Sequence, residues 1–102
     1  MAQWIYRIVP TRPEMVAAPT EREADIVGAH FRYLVDLRDR GILILAGRTQ
    51  ESVDTWGITI FEADDTDAAH AIVDDDPAVS AGVFAATLHP YAVAVARGGL
   101  ID

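Results

Sequence analysis

Hydrophobic spacing along the chain switches repeatedly between a two-residue and a three-to-four-residue period, and each switch marks an element. Trp4 to Val9 is aromatic and β-branched and stops at Pro10, which predicts a first strand. Thr11 to Pro19 is proline-rich and reads as a loop. Thr20-Glu21-Arg22-Glu23 has the spacing of a capping box, with Thr20 as N-cap and Glu23 reaching back to its backbone. Val27, His30, Phe31, Leu34 and Leu37 then recur at three and four, the stripe of an amphipathic helix. Arg22, Asp25, Arg32, Asp36 and Asp39 fall off that stripe and belong to solvent. Gly41 supplies the stop, just after Arg38 and Arg40 on the side of the helix dipole that favours cations.

Ile42 to Ala46 is an apolar run closed by Gly47, a second strand. Thr49 to Asp54 is a polar hairpin loop. Trp56 to Glu62 is a third strand, with Ile58 and Ile60 on one face and Thr59 and Phe61 on the other. Asp64-Asp65-Thr66-Asp67 opens a second helix, because short oxygen-bearing side chains satisfy the free N–H groups of a first turn. Its inward face is Ala69, Ile72 and Val73. Asp76-Pro77 closes it, since a residue before proline is pushed out of the helical region. Gly82 to Val95 is a fourth strand, with Pro90 tolerated if that strand lies at an edge.

The order β-α-β-β-α-β, with right-handed crossovers, predicts an α+β ferredoxin-like fold: a four-stranded antiparallel sheet with both helices on one face. Residues 1–102 form a single domain, with a core from about 4 to 95 and a tail at 96–102. The fourth strand is apolar at both parities, with Val83, Val93 and Val95 on one and Phe84 and Leu88 on the other. An apolar second sheet face on a soluble chain of this size predicts a homodimer in which two open faces pack together.

Composition narrows the function. The 102 residues carry 8 basic and 16 acidic side chains, a net charge of −8. Every base is arginine, and none falls between Thr49 and Ala96, where nine acids lie. Phosphate-backbone binding needs a basic footprint, so nucleic acid and anionic membrane are poor partners. No apolar stretch reaches the roughly 20 residues of a membrane span, and the first residues do not read as a secretory signal. A cytoplasmic location is the expectation. With no cysteine there is no disulfide, thiolate nucleophile or sulfur-based zinc site.

Two features carry candidate chemistry. His30 lies on the apolar stripe of the first helix, where an unpartnered ring would cost about 1–3 kcal/mol. Spacing alone leaves it either a satisfied core residue or an acid/base group. Asp74-Asp75-Asp76 puts carboxylates at a helix C-terminus, against the dipole. Asp76 before Pro77 is a good N-cap for a short turn through Ser80. Alternatively, one of these carboxylates faces a histidine, which the topology permits because the second helix ends at the sheet edge where the first begins. His70 is off the inward face and solvated; His89, beside Pro90-Tyr91, serves a sheet face or an edge. Ser52 and Ser80 sit in a loop and a turn, unsuited to a Ser-His-Asp triad. A metal site from His30, His89 and an aspartate has no local spacing to support it. Gly98-Gly99 is a tail, not a phosphate loop, so no cofactor is expected. Trp4, Tyr6 and Trp56 are core and pocket wall.

The run His30-Phe31-Arg32-Tyr33-Leu34-Val35-Asp36-Leu37, then Gly41-Ile42-Leu43, Ala46-Gly47, Asp76-Pro77 and Pro90-Tyr91, resembles the YciI-like (YCII-related) family over Trp4 to Val95. The resemblance implies a ferredoxin-like protomer of the dimeric α+β barrel type and a His–Asp pair in a pocket, carried here by His30 and Asp76. Arg48 stands where the family often has proline, and Ala78 where it often has phenylalanine, so the pocket wall is smaller at 78 and more cationic at 48. One branch of the family is a dehydrochlorinase acting on a chlorinated hydroxyhydroquinone; fold carries over from such a likeness, substrate does not.

Together these readings predict a cofactor-independent lyase- or isomerase-like enzyme for a small phenolic or lactone-like substrate. In it His30 moves the proton and Asp76 orients the ring. Arg48, Tyr6 and His89 are the candidate ligand contacts, Arg48 for a carboxylate or phenolate. The competing readings are a non-catalytic small-ligand-binding or dimerisation module and a cofactor-free monooxygenase of the kind found among related barrels.

Overall fold

Four strands and three helices account for most of residues 2–100, the part of the chain that the computed structural model describes. In order they are β1 (Ala2–Pro10), α1 (Glu21–Asp39), β2 (Leu43–Arg48), β3 (Gly57–Ala63), α2 (Thr66–Asp74), the single-turn α3 (Pro77–Ser80) and β4 (Phe84–Tyr91), with a 3-10 turn at Pro13–Val16. All strand pairs are antiparallel, and the sheet order is β2-β3-β1-β4. This is the α+β ferredoxin-like order: each helix crosses between strands that are not neighbours, and the centre of the sheet is β1 and β3.

The local signals explain the boundaries. Thr20 Oγ1 accepts from the Glu23 N–H at 3.1 Å while Glu23 Oε1 accepts from the Thr20 N–H at 2.8 Å, so the capping box is formed in both directions. Gly41 takes φ 76°, the left-handed stop that a side chain would strain. Asp65 caps α2 by accepting from the Ala68 N–H at 2.8 Å. Pro90 pairs opposite Trp4 on β4, an edge strand, as its missing N–H requires.

Trp4, Tyr6 and Ile8 alternate along β1 and meet Phe61 and Ala63 of β3 beneath Ala69 and Val73 of α2. Tyr6 and Phe61 pack edge to face at 5.9 Å between ring centres. A buried side chain of this size contributes about 2 kcal/mol through the area it removes from water.

Three sequence expectations are corrected. β4 ends at Tyr91, so Val93 and Val95 lie beyond it, and Val83 lies just before it. The outward positions of β4 are Ala85, Thr87 and His89, which are small or polar. The apolar part of the open face comes instead from Ile5, Val9, Ile60 and Leu45, which share it with Gln3 and Arg7. Gly47 does not close β2 but lies within it, paired with Ile58, after an irregularity between Leu43 and Leu45. Phe31 is not core: it is 66% exposed, whereas His30 and Leu37 on the same helix are buried. The stripe of α1 faces a cavity over its middle turns, and Phe31 stands at the rim.

Candidate active site

Asp76 is fully buried and sits where α2 breaks before α3. Pro77 fixes the backbone at the first position of α3, and Asp76 Oδ1 accepts from the Ala78 N–H at 3.0 Å. Two further donors converge on the same carboxylate. Tyr6 of β1 donates its hydroxyl to Oδ2 at 2.8 Å. His30 of α1 places Nδ1 2.7 Å from Oδ2 and 2.9 Å from Oδ1. A carboxylate only accepts, so the proton between them is on His30 Nδ1.

That bond sets the chemistry of the ring. With Nδ1–H turned inward to Asp76, Nε2 is the nitrogen left for a ligand, since His30 lines the main cavity. Phe84 packs edge-on against the imidazole at 5.3 Å and limits its swing. Burial first, then the Asp76 carboxylate, push the Tyr6 phenol far above its ordinary range. Tyr6 therefore stays a donor at any physiological pH, and the three elements β1, α1 and α3 are tied through one anion. Tyr33 adds a further tie, donating its hydroxyl to the Ile72 carbonyl at 2.6 Å; burial pushes this phenol up to about 12.

The cavity holds about 460 Å³ between α1 and the β2-β3-β1 side of the sheet, within the range of small-molecule sites. Ile8, Leu34, Leu43, Trp56 and Phe84 are among its apolar lining residues. Thr55 and Thr59, both buried, are its hydroxyl-bearing residues. Arg38 and Arg48 are its charged residues, and no acidic side chain lines it.

The structure brings His30 and Asp76 into direct contact and sets Arg48 in the wall of the same cavity. It places the other two candidates elsewhere. Tyr6 has no exposed surface and does not line the cavity; it lies behind Asp76, because positions 4, 6 and 8 of β1 share the core face. His89 follows Leu88, whose partner is Tyr6, so it points to the opposite face of the sheet, where its Nε2 lies 3.2 Å from the Thr87 hydroxyl. His30 and His89 are thus separated by the sheet. Among the described residues, no three His, Asp or Glu side chains gather into a metal-binding group. No helix among them is long and apolar enough to cross a membrane. Arg38 was not singled out from the sequence, yet His30, Leu34 and Arg38 follow at four-residue spacing on one face of α1.

The model of the YCII-related domain matches residues 4–88. The chain belongs to the YCII-related domain family. A solved structure of 5-chloro-2-hydroxyhydroquinone dehydrochlorinase from Burkholderia phenoliruptrix, in complex with 2,5-dihydroxybenzoquinone, is similar to this YCII-related chain. The TM-score is 0.63 and the identity 25%, over 86% of this chain and 93% of that one. The dimeric α+β barrel type of protomer expected from the sequence is the fold observed. No curated protein matches the chain in sequence.

Proposed function

We propose that this YCII-related protein is a cofactor-independent lyase or isomerase in which His30 moves protons on a small ring substrate. The observation that carries the proposal is the buried Tyr6–Asp76–His30 chain, which commits Nδ1 to Asp76 and leaves Nε2 to an apolar cavity. Nε2 takes a proton from a ring hydroxyl, and Asp76 stabilises the imidazolium that forms. Returning that proton to a ring carbon isomerises the substrate. When the carbon bears chlorine, loss of a second hydroxyl proton expels chloride and leaves a quinone. The net change is loss of HCl, with no outside oxidant or reductant, so the reaction needs only an acid/base group.

The likeness to a chlorohydroquinone dehydrochlorinase supports a hydroxylated ring as the substrate class. The test is release of chloride, and the absorbance of the quinone formed, from 5-chloro-2-hydroxyhydroquinone. If that compound is inert, deuterium exchange into other hydroxylated ring compounds replaces it. Turnover abolished in both His30→Ala and Asp76→Ala supports the reading. Ring compounds that bind but are never turned over would make this a ligand-binding module, with His30 and Asp76 a structural pair.

The same reading includes a homodimer through the open sheet face, where Ile5, Val9, Ile60 and Leu45 gather. Sedimentation should give twice the 11.1 kDa chain mass. A stable monomer at micromolar concentration would contradict it.

A further inference from the structure

Sixteen acids outnumber eight arginines in this chain, so a cavity wall chosen without regard to charge would carry more acids than bases. The cavity beside His30 does the reverse: its lining includes Arg38 and Arg48 and no Asp or Glu. Asp76 does not cancel them, because it lies behind the imidazole, fully buried and bonded to three donors.

Neither arginine is committed to a strong partner. Among the described residues no carboxylate lies within ion-pairing distance of Arg48. Arg38 pairs with Asp39 at 3.1 Å, but both side chains are more than 60% exposed, and water screens such pairs to between about 0 and 1 kcal/mol. An anion inside an apolar cleft, where field lines are focused, competes well for either guanidinium.

Position along the helix sets the length of the ligand. Eight residues separate His30 from Arg38 on one face of α1, a rise of about 12 Å. An arginine side chain turned from Asp39 toward the cavity can cover much of that span, and one six-membered ring with one substituent the rest. Arg48 approaches from the other wall, at the end of β2 opposite Gly57, which packs closely against Ile8 and the Gly47 carbonyl.

We infer that Arg38 and Arg48 select a ring-sized monoanion, its apolar body against Leu34, Leu43 and Phe84 and its charged oxygen at the arginines, with the reacting edge toward His30. The inference rests on the reading of this cavity as the substrate site, and it adds the charge state of the ligand. Arg38 was not among the residues expected from the sequence, and the pairing of the two arginines is visible only in three dimensions.

Benzoate and benzamide test it, because they share a shape and differ in charge at neutral pH. Binding is followed by the amide resonances of Gly47 and Gly57 and the indole N–H of Trp56. Benzoate should bind at least tenfold more tightly than benzamide. In Arg38→Gln/Arg48→Gln, both exposed positions, that ratio should fall to about one while benzamide affinity stays unchanged. Equal affinities in the wild type would overturn the inference and leave the proton-transfer reading intact. So would a preference for benzoate that survives in the double variant. If neither ring compound perturbs the cavity resonances, the cavity is not a ring-binding site and both readings fall together.

Discussion

Two buried carboxylates begin helical turns in this protein, and they have opposite kinds of partner. Glu23 belongs to its own neighbourhood: it accepts from the Thr20 backbone, three residues back, and from Arg12 Nε at 2.9 Å, eleven residues back. Asp76 keeps one local bond, to Ala78, and takes its other donors from Tyr6 and His30, 70 and 46 residues away. The first arrangement closes a helix end and a loop. The second cannot form until β1, α1 and α3 have met, and it faces a cavity through His30. A capping carboxylate with only local partners is a folding device. One with distant partners ties three elements together, and here it also holds an imidazole at a cavity wall.

Removing each anion should expose that difference, most strongly at position 76. Asp76→Ala leaves the Tyr6 hydroxyl, the His30 N–H and the Ala78 N–H without an acceptor. A loss of about 3–5 kcal/mol is expected, as for other buried charges stripped of a partner. Urea unfolding with an unchanged slope would measure it. Turnover should fall by about 100-fold or more, the range of a lost acid/base group. Tyr6→Phe separates positioning from packing, because the ring stays in the core. It should cost about 1 kcal/mol and lower kcat while leaving KM and ligand affinity nearly unchanged. A rise in KM alone would mean that Tyr6 touches substrate.

On the local side, Thr20→Ala should cost about 1 kcal/mol, the usual value of an N-cap, with no effect on turnover. The smallest effect is one of pH. Hydrogen bonding to Arg12, then to the Thr20 backbone, holds the Glu23 carboxyl at about 2 against an ordinary 4.5. A lowered carboxyl pKa stabilises the fold above the unfolded value and loses that contribution as pH falls through the folded one. The difference in Tm between wild type and Glu23→Gln should therefore be full above about pH 4.5 and shrink toward pH 2. A difference that is constant over that window would remove Glu23 from the acid response.

The same contrast explains what could be read from the sequence. The Thr20–Glu23 box, Gly41 and the edge proline at position 90 are local signals, and the structure has each of them. The split βαβ order followed from element types alone, and β2-β3-β1-β4 is the sheet it requires. His30 facing Asp76 was legible as a possibility of topology and from the family resemblance. Tyr6 was read as a ligand contact, and nothing near it in sequence says that its hydroxyl meets the Asp76 carboxylate instead. His89 and Pro90 shared a strand signal with Val93 and Val95, and only the register shows where that strand stops. Phe31 fits the helical period as well as Leu34 does; its exposure comes from the cavity, which no single helix encodes.

The most direct test of the central claim is the ring-nitrogen spectrum of His30. The account predicts a far-downfield, exchange-protected proton on Nδ1 in the wild type, with an Nε2 signal that moves when benzoate or a hydroxylated ring compound fills the cavity. In Asp76→Ala the protected proton should disappear. A proton fixed on Nε2 instead, or a ring spectrum unchanged by loss of Asp76, would contradict the claim that Asp76 holds His30 through Nδ1 to serve the cavity.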